Sequence, residues 1–243
     1  MLFRSNRSKG ITPFIGCITC TYFFIKYAGF LEQISSSFKI SSFFTLLYSV
    51  SKYAIIPTMK TEEECTSSNT TVGKLNKYLT EAGWKVHFSR NAKSIFEAHS
   101  DGLKACAVGP EDQVILCHDD IEILLPAYGF NEVLDLHLSN PKIGFVGVAG
   151  TRYLDDTMSW FHCAQKHGTG CGSIFHGSSI SSMELSFYGN TKKSVVLDGV
   201  FLAASGKVIN SIKIAKPSTI KYNWAWYDTY YTFQTFRKDY INL

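Results

Sequence analysis

Between Lys52 and Cys117, short apolar runs alternate with segments of helical periodicity, and this alternation limits the possible folds more than any other feature. The runs "KYAIIPT", "KVHFS" and "QVILC" have the length and apolar content of buried strands. The segments between them, "TTVGKLNKYLTEAGW" and "KSIFEAHSDGLKACAV", repeat apolar residues at helical spacing. This order predicts an α/β fold in which helices cover both faces of a mostly parallel central sheet, a three-layer α/β/α sandwich.

The composition fits one large α/β domain with additional segments. The chain has 243 residues, of which 45% are apolar and 18% are charged, and this is enough for a sizeable core. The net charge is +4 and no basic run is longer than the pair Lys192–Lys193, so we expect no nucleic-acid partner. Seven cysteines show no spacing typical of a disulfide framework, which leaves the redox compartment open.

The first fifty residues have a different character from the rest of the chain. Basic residues precede an uncharged run from Gly10 to Ile25, which is the order found in a signal anchor. That run is shorter than the roughly 20 residues of a spanning helix, so an anchor would need residues 11–31. We assign 1–50 as an apolar segment and connector, a candidate membrane anchor with an interfacial or core helix as the alternative, and 51–243 as the folded domain. Cytoplasmic and membrane-associated locations both stay open.

The third predicted strand, "QVILC", ends in three adjacent ionisable residues, His118, Asp119 and Asp120. In parallel sheets ligands bind at the carboxyl ends of the strands, and Pro57 and Thr58 end the first strand at the same edge. Because side chains alternate along a strand, His118 and Asp120 point together and Asp119 points away. Two carboxylates and an imidazole suit Mg²⁺ or Mn²⁺ shared with a phosphate. A polar loop whose aspartate caps a turn is the alternative.

Two later segments predict further buried strands. "KIGFVGVAGTRY" predicts a strand over 143–149 that turns at Gly150 and Thr151. "SVVLDGVFLAAS" predicts another strand with Asp198 and Gly199 embedded in it, where burial makes an unpaired carboxylate costly.

Aromatic residues accumulate before a single carboxylate near the end of the chain. In "YNWAWYDTYYTFQTFRK", Trp224, Trp226 and Tyr227 come just before Asp228. Flat apolar faces are suited to a sugar ring, and a low-dielectric neighbourhood tunes a general base. The alternative is an aromatic core helix with Asp228 in its first turn.

The segment "WFHCAQKHGTGCGSIFH" predicts a glycine-containing loop. We expect Gly168, Gly170 and Gly172 to form a mobile cover over a ligand. Its histidines and cysteines match no familiar zinc spacing. Just before this segment, Asp155–Asp156 predicts a turn, with a second candidate base as the alternative.

Six segments, taken in order, resemble inverting glycosyltransferases of the GT-A fold in the broad family 2 group. The branch they resemble has a His-x-Asp metal motif in place of DxD. The segments are "YAIIPT", "KSIFEAHSDGL", "VILCHDDIEI", "GFVGVAGTRY", "VVLDGVFLAA" and "WAWYDTYYT", which together cover residues 52 to about 240. The resemblance implies a Rossmann-like GT-A sandwich. It also implies metal-assisted transfer of a sugar, with inversion, from a nucleotide-diphosphate sugar to an acceptor hydroxyl on a glycan, lipid or protein.

The resemblance also implies a role for each matching residue. Pro57 and Thr58 would lie beside the nucleotide base or ribose, with Asp119 next to the donor. His118 and Asp120 would bind Mn²⁺ or Mg²⁺ at the diphosphate. Asp198, Gly199 and Trp226 would line the acceptor side. Asp228 would be the base that deprotonates the acceptor hydroxyl.

Two departures from the family pattern keep other functions open. A histidine at the first position of the metal motif lowers the negative charge available to Mg²⁺. The family usually continues, after the helix of Asp228, into a strand with a further metal- or phosphate-binding histidine, so the resemblance implies either a C-terminally truncated domain or an activity that uses fewer ligands. The alternatives are a catalytically inactive nucleotide-binding module of the same fold and a metal-dependent phosphohydrolase that uses His118 and Asp120.

Overall fold

A computed structural model of the chain describes residues 3–5, 50–177 and 182–243. The strand at Phe3–Ser5 and the described part of residues 51–243 belong to one compact unit. The candidate membrane anchor at 11–31 lies outside the described residues. Among the residues that are described, no helix is both long and apolar enough to cross a bilayer.

The described residues form eleven strands and seven helices. The strands are β1 Phe3–Ser5, β2 Lys52–Thr58, β3 Lys85–Arg90, β4 Gln113–Cys117, β5 Ile121–Ile123, β6 Val146–Gly147, β7 Ala149–Thr151, β8 Gly170–His176, β9 Glu184–Gly189, β10 Val196–Leu197 and β11 Phe201–Ser205. The helices are α1 Glu62–Thr66, α2 Thr71–Glu81, α3 Ile95–Ala105, α4 Ala127–Leu138, α5 Trp160–His167, α6 Gly206–Ser211 and α7 Tyr227–Phe236.

The main sheet has five strands in the order β3-β2-β4-β11-β6. Strand β2 is parallel to both of its neighbours, β3 and β4. Strand β11 is antiparallel to β4 and to β6. The α/β class and the three predicted strands of the first half are therefore confirmed. The sheet is mixed rather than mostly parallel, because β11 enters it from a turn at the carboxyl end of β4.

Helices cover both faces of the main sheet, and the alternation of side chains along β2 explains why. Ala54 and Ile56 belong to a core cluster with apolar residues of α2 and α4. Ile55, between them, belongs to a second cluster with residues of α3, α6 and α7. Successive side chains of a strand point to opposite faces, so a continuous apolar strand needs cover on both sides.

The first two long helices begin and end where the sequence predicts. The side chain of Thr70 caps α2 by accepting from the amide of Gly73, and that of Ser94 caps α3 by accepting from the amide of Glu97. Gly83, two residues after the end of α2, has a φ of 84°. Glycine adopts this left-handed conformation without strain, and so it ends the helix.

A second sheet follows the order β10-β7-β8-β1-β5, with β9 paired to β8. The sequence did not predict this sheet, and its presence corrects the single strand expected over 143–149. Val146–Gly147 pairs with β11 in the main sheet, whereas Ala149–Thr151 pairs with β8 and β10 in the second sheet. The chain changes sheets at Val148. Gly150 and Thr151 consequently lie in a strand and do not form a turn.

The glycines predicted to form a mobile cover lie in regular structure, so that prediction is wrong. Gly168 ends α5 with a φ of 61°, and Gly170 and Gly172 are strand residues of β8. A Cβ atom on Gly170 would lie 2.8 Å from the carbonyl oxygen of Tyr188 in β9. Glycine in a strand often marks such a close approach of another backbone, which composition alone does not distinguish from a flexible loop.

Asp198 and Gly199 occupy a turn and are not embedded in a strand as predicted. Strand β10 ends at Leu197, and β11 begins at Phe201. The side chain of Asp198 accepts a hydrogen bond of 2.8 Å from the amide of Val200 and so closes the turn. Phe201 pairs with Cys117, the last residue of β4. The turn therefore lies beside His118.

Candidate functional site

The carboxyl ends of β2 and β4 lie where the strand order of the main sheet reverses. β2 is followed in sequence by β3 on one side, and the chain then crosses to β4 on the other side. The pairing of β2 with β4 ends at Ile55 and Leu116. Beyond that point the Thr58 hydroxyl donates a hydrogen bond of 2.5 Å to Oδ2 of Asp119. This bond joins the two strand ends at the edge where open α/β sheets bind ligands.

His118 and Asp120 lie next to each other, and Asp119 is directed away from them toward Thr58. Nδ1 of His118 is 3.8 Å from Oδ1 of Asp120, which is beyond hydrogen-bonding distance. Both side chains are about one-third exposed, at 33% and 36%. The structure thus has the predicted grouping of the triplet, but the three residues lie in the turn between β4 and β5 and not in a strand, so the grouping does not come from strand alternation.

Helix α7 contributes a phenol to this group. Nε2 of His118 is 2.8 Å from the hydroxyl oxygen of Tyr227. The same hydroxyl donates a hydrogen bond of 3.0 Å to the carbonyl of Gly199. A Cβ atom on Gly199 would lie 2.1 Å from the Tyr227 hydroxyl, so this approach requires a glycine. The amide of His118 in turn donates to the carbonyl of Val200, at 3.2 Å.

Gly199 also binds the candidate base. Its amide donates a hydrogen bond of 3.1 Å to Oδ2 of Asp228, and the amide of Thr229 donates one of 2.7 Å to Oδ1. Burial raises the pKa of the Asp228 carboxyl, and these backbone hydrogen bonds offset part of the rise. One glycine therefore links the His118 side of the site to the Asp228 side.

The aromatic residues before Asp228 differ in their surroundings. Trp224 is 50% exposed. Trp226 is half-buried and precedes α7 with a φ of 67°, which is unusual for a bulky residue. Tyr227 is buried, and its ring makes edge contacts with His99 and Tyr231. The residues expected to form an aromatic wall are therefore one exposed tryptophan, one half-buried tryptophan and one buried tyrosine. The helix is also an aromatic core helix with Asp228 in its first turn, as the alternative interpretation stated.

His99 is a buried imidazole behind Tyr227. It is 1% exposed, and burial lowers its pKa to about 3, so the ring is neutral at physiological pH. Within the described part of the chain its Nδ1 atom has no hydrogen-bond partner.

The remaining candidate residues contribute less to this group. Pro57 is buried within β2, in register with Ser89 of β3. The hydrogen-bonding partners of Asp155 all belong to its own segment: Thr157, Cys163, Lys166 and His167. Hydrogen bonds from Thr157 and His167 hold the pKa of its carboxyl well below the usual range. Such a carboxylate is a weak base, and the arrangement favours the turn.

His118 and Asp120 could supply one nitrogen and one carboxylate ligand to a divalent cation. Oδ1 of Asp120 is buried, and no hydrogen-bond partner for it exists among the described residues; a buried carboxylate oxygen of this kind can accept a water or bind an ion. The 3.8 Å separation from Nδ1 of His118 lies within twice a metal–ligand distance of about 2.1 Å. No group of three or more His, Cys, Asp or Glu side chains in the described part could hold a metal ion. A cation here would therefore need substrate or water oxygens as well.

The sequence did not predict the hydrogen-bonding role of Tyr227. It identified Tyr227 only as an aromatic neighbour of Asp228, because nothing in residue spacing shows that its hydroxyl contacts His118, over a hundred positions earlier. The only signal was the position of Tyr227 at the start of a helix that follows the Asp198–Gly199 segment.

Neither a protein-family model nor a curated protein matches this sequence. The family resemblance stays a prediction that depends on the six quoted segments.

The close contact of Gly199 with Tyr227 gives a stability prediction. Gly199→Ala would place a methyl group on the buried phenol, and we expect a loss of about 1–3 kcal/mol in the free energy of unfolding. Gly129→Ala is the matched control. A Cβ atom there meets nothing within 4 Å, and in α4 alanine is favoured over glycine by up to about 1 kcal/mol.

Urea unfolding of both variants and the wild type measures the difference. A Gly199→Ala variant as stable as the wild type would show that Tyr227 does not need the space beside Gly199.

Proposed function

We propose that the chain is an inverting glycosyltransferase that moves a sugar from a nucleotide-diphosphate sugar to an acceptor hydroxyl. The observation that carries the proposal is the double contact of Gly199. Its carbonyl accepts from Tyr227, which contacts His118, and its amide donates to Asp228. Groups suited to a diphosphate-bound cation and a half-buried carboxylate suited to a general base are thereby joined through one residue.

The finer fold assignment, a GT-A sandwich with Rossmann-like order, belongs to this proposal. It is supported by the parallel strands β3, β2 and β4, by helices on both faces of the main sheet, and by the six resembling segments in order. Fold alone does not determine activity. The proposed activity therefore depends on the residues at the carboxyl ends of β2 and β4.

The donor would bind at the edge where Thr58 and Asp119 meet. Pro57, Thr58 and Asp119 would contact the nucleoside portion, and His118 with Asp120 would hold Mn²⁺ or Mg²⁺ together with oxygens of the diphosphate. When bound, the cation supplies charge neutralisation for the leaving nucleoside diphosphate.

In the chemical step, Asp228 accepts the proton of the acceptor hydroxyl. The hydroxyl oxygen forms a bond to the anomeric carbon from the face opposite the diphosphate. The bond between that carbon and the phosphate oxygen breaks, and its electron pair leaves with the nucleoside diphosphate. A single displacement of this kind inverts the anomeric configuration.

The backbone orients Asp228 for this role. Each carboxylate oxygen accepts one amide hydrogen bond, from Gly199 and from Thr229. An ionised carboxylate has about four acceptor positions, so capacity remains for the acceptor hydroxyl. The raised pKa of Asp228 makes it a stronger base than an ordinary aspartate.

The acceptor side would consist of Asp198, Gly199 and Trp226. Trp226 is half-buried, and its neighbour Trp224 is half exposed. Indole faces of this kind pack against sugar rings. The acceptor would be a glycan, lipid or protein that carries a hydroxyl.

Removal of the base gives the main test of the proposal. Asp228→Asn keeps the shape of the side chain and cannot take the proton, so we expect kcat to fall by about 10²–10⁴-fold. The control is Asp239→Asn, an exposed aspartate just beyond α7 with a φ of 62°, a conformation that asparagine tolerates. Turnover is measured with the full chain, Mn²⁺ and a panel of nucleotide-diphosphate sugars.

Two results would contradict the transferase proposal. A folded wild type that binds nucleoside diphosphate and transfers no sugar, with binding intact in Asp228→Asn, would indicate an inactive binding module. Release of inorganic phosphate from simple phosphoesters, unchanged in Asp228→Asn, would indicate a phosphohydrolase that uses His118 and Asp120.

The raised pKa of Asp228 predicts the acid limb of the pH profile. The base must be ionised, so activity is lost as pH falls through the pKa of Asp228. Because burial raises that pKa, the acid limb of kcat/KM should lie above the ordinary aspartate value of about 3.9. The measurement is kcat/KM from pH 3 to pH 9 at saturating Mn²⁺. An acid limb at or below the ordinary value would exclude Asp228 as a base of raised pKa.

A further inference from the structure

We propose that Tyr227 is a positioning residue that fixes the tautomer of His118 and directs its Nδ1 lone pair toward the cation site beside Asp120. The inference rests on the proposed function, because it assigns a task to Tyr227 within the same site. It gives Tyr227 a role that neither the residue pattern nor the family resemblance predicts.

The hydrogen bonds of the phenol determine the tautomer. A tyrosine hydroxyl has one hydrogen to donate and can also accept. The Tyr227 hydroxyl donates its hydrogen to the carbonyl of Gly199, at 3.0 Å. At its 2.8 Å contact with Nε2 of His118 it must therefore be the acceptor. Nε2 then carries the hydrogen of the neutral imidazole.

The other ring nitrogen faces Asp120. With the hydrogen on Nε2, the electron pair is on Nδ1, which is 3.8 Å from Oδ1 of Asp120. That carboxylate oxygen is buried and has no hydrogen-bond partner among the described residues. A nitrogen lone pair beside a carboxylate oxygen forms a pair of cation ligands, whereas a hydrogen on Nδ1 would remove the nitrogen ligand. The second ring nitrogen of a metal-binding histidine usually donates to such a partner, which holds the ring in place.

Packing fixes the position of the phenol itself. The ring of Tyr227 is held edge-on by His99 at 5.4 Å and by Tyr231 at 5.9 Å between ring centroids. Gly199 provides the space for its hydroxyl. His99 is neutral because of its burial, so it presents no charge to the phenol. The hydroxyl therefore has little freedom to leave His118.

Tyr227→Phe removes the acceptor and keeps the ring. Nε2 would lose its contact with the Tyr227 hydroxyl, and we expect the imidazole hydrogen to move to Nδ1, the ring nitrogen nearer the negative charge of Asp120. Mn²⁺ affinity should fall by about 10–100-fold, as is typical when the partner of a metal-binding histidine is lost. Tyr231→Phe is the matched control, because Tyr231 is a buried tyrosine of the same helix whose hydroxyl donates to the carbonyl of Ile214, at 3.1 Å.

The tautomer is read by ¹⁵N NMR of the histidine-labelled full chain without metal. The spectra are recorded at pH 8, above the ordinary imidazole pKa of about 6.5, and His118 is assigned by its loss in His118→Gln. The wild type and Tyr231→Phe should show a protonated Nε2 with slow exchange of its hydrogen. Tyr227→Phe should show hydrogen on Nδ1, and Mn²⁺ titration of the three proteins should show weaker binding for this variant alone.

Two results would overturn the inference. One is a wild type with its hydrogen on Nδ1. The other is a Tyr227→Phe variant with the tautomer and Mn²⁺ affinity of the wild type. The proposed function can fail separately from this inference. If the wild type transfers no sugar, but Tyr227→Phe alone changes the tautomer of His118 and weakens Mn²⁺ binding, the positioning role stands and the transferase proposal fails.

Discussion

The hydrogen bonds of Gly199 connect the parts of the candidate site. Its carbonyl accepts from the Tyr227 hydroxyl, and its amide donates to the Asp228 carboxylate. Both partners lie at the start of α7, so one residue of the β10–β11 turn determines how this helix approaches the carboxyl end of β4. The turn is closed by Asp198, whose side chain accepts from the amide of Val200. A larger residue at 199 would separate the phenol from His118.

The position of α7 depends on further buried polar contacts. The hydroxyl of Thr232 accepts from the amide of Leu197, the last residue of β10. The side chain of Asn242 is fully buried. Its amide group donates to the carbonyls of Val195 and Thr232, and its oxygen accepts from the amide of Phe145 and the hydroxyl of Thr235. Buried amides of this kind are stable only when their hydrogen bonds are satisfied. Here they hold the helix of Asp228 against both sheets.

The sequence predicted the first half of the fold well because local and tertiary preferences agree there. Strands β2, β3 and β4 are apolar runs, and the helices between them have caps at Thr70 and Ser94. The second half was predicted less well. The apolar run over 143–149 predicts one strand, but it contributes β6 and the start of β7 to different sheets. Hydrophobic periodicity does not show where a buried chain changes its pairing partner. For the same reason, the sequence did not predict that β11 pairs antiparallel with β4 or that a second sheet forms.

The candidate site, too, was predicted only in part. Strand alternation predicted the pairing of His118 with Asp120 and the separation of Asp119, although the structure produces this grouping in a turn after β4. The shared edge of two parallel strands predicted that Thr58 and the triplet lie near each other, but not the hydrogen bond between Thr58 and Asp119. The contacts of Gly199 with Tyr227 and Asp228 were not predictable, since they depend on a turn that was read as a strand. The role of a tyrosine hydroxyl becomes visible only when its partner is known.

Pulsed electron paramagnetic resonance of Mn²⁺ with a nucleoside diphosphate tests the central claim most directly, namely that His118 and Asp120 hold a cation at a diphosphate. The account predicts that Mn²⁺ bound to the full chain shows coupling to one imidazole nitrogen and to phosphorus. The nitrogen coupling should be absent in His118→Gln. Uridine and guanosine diphosphates both serve as probes. Bound Mn²⁺ with no nitrogen coupling, or with a coupling that persists in His118→Gln, would contradict the account.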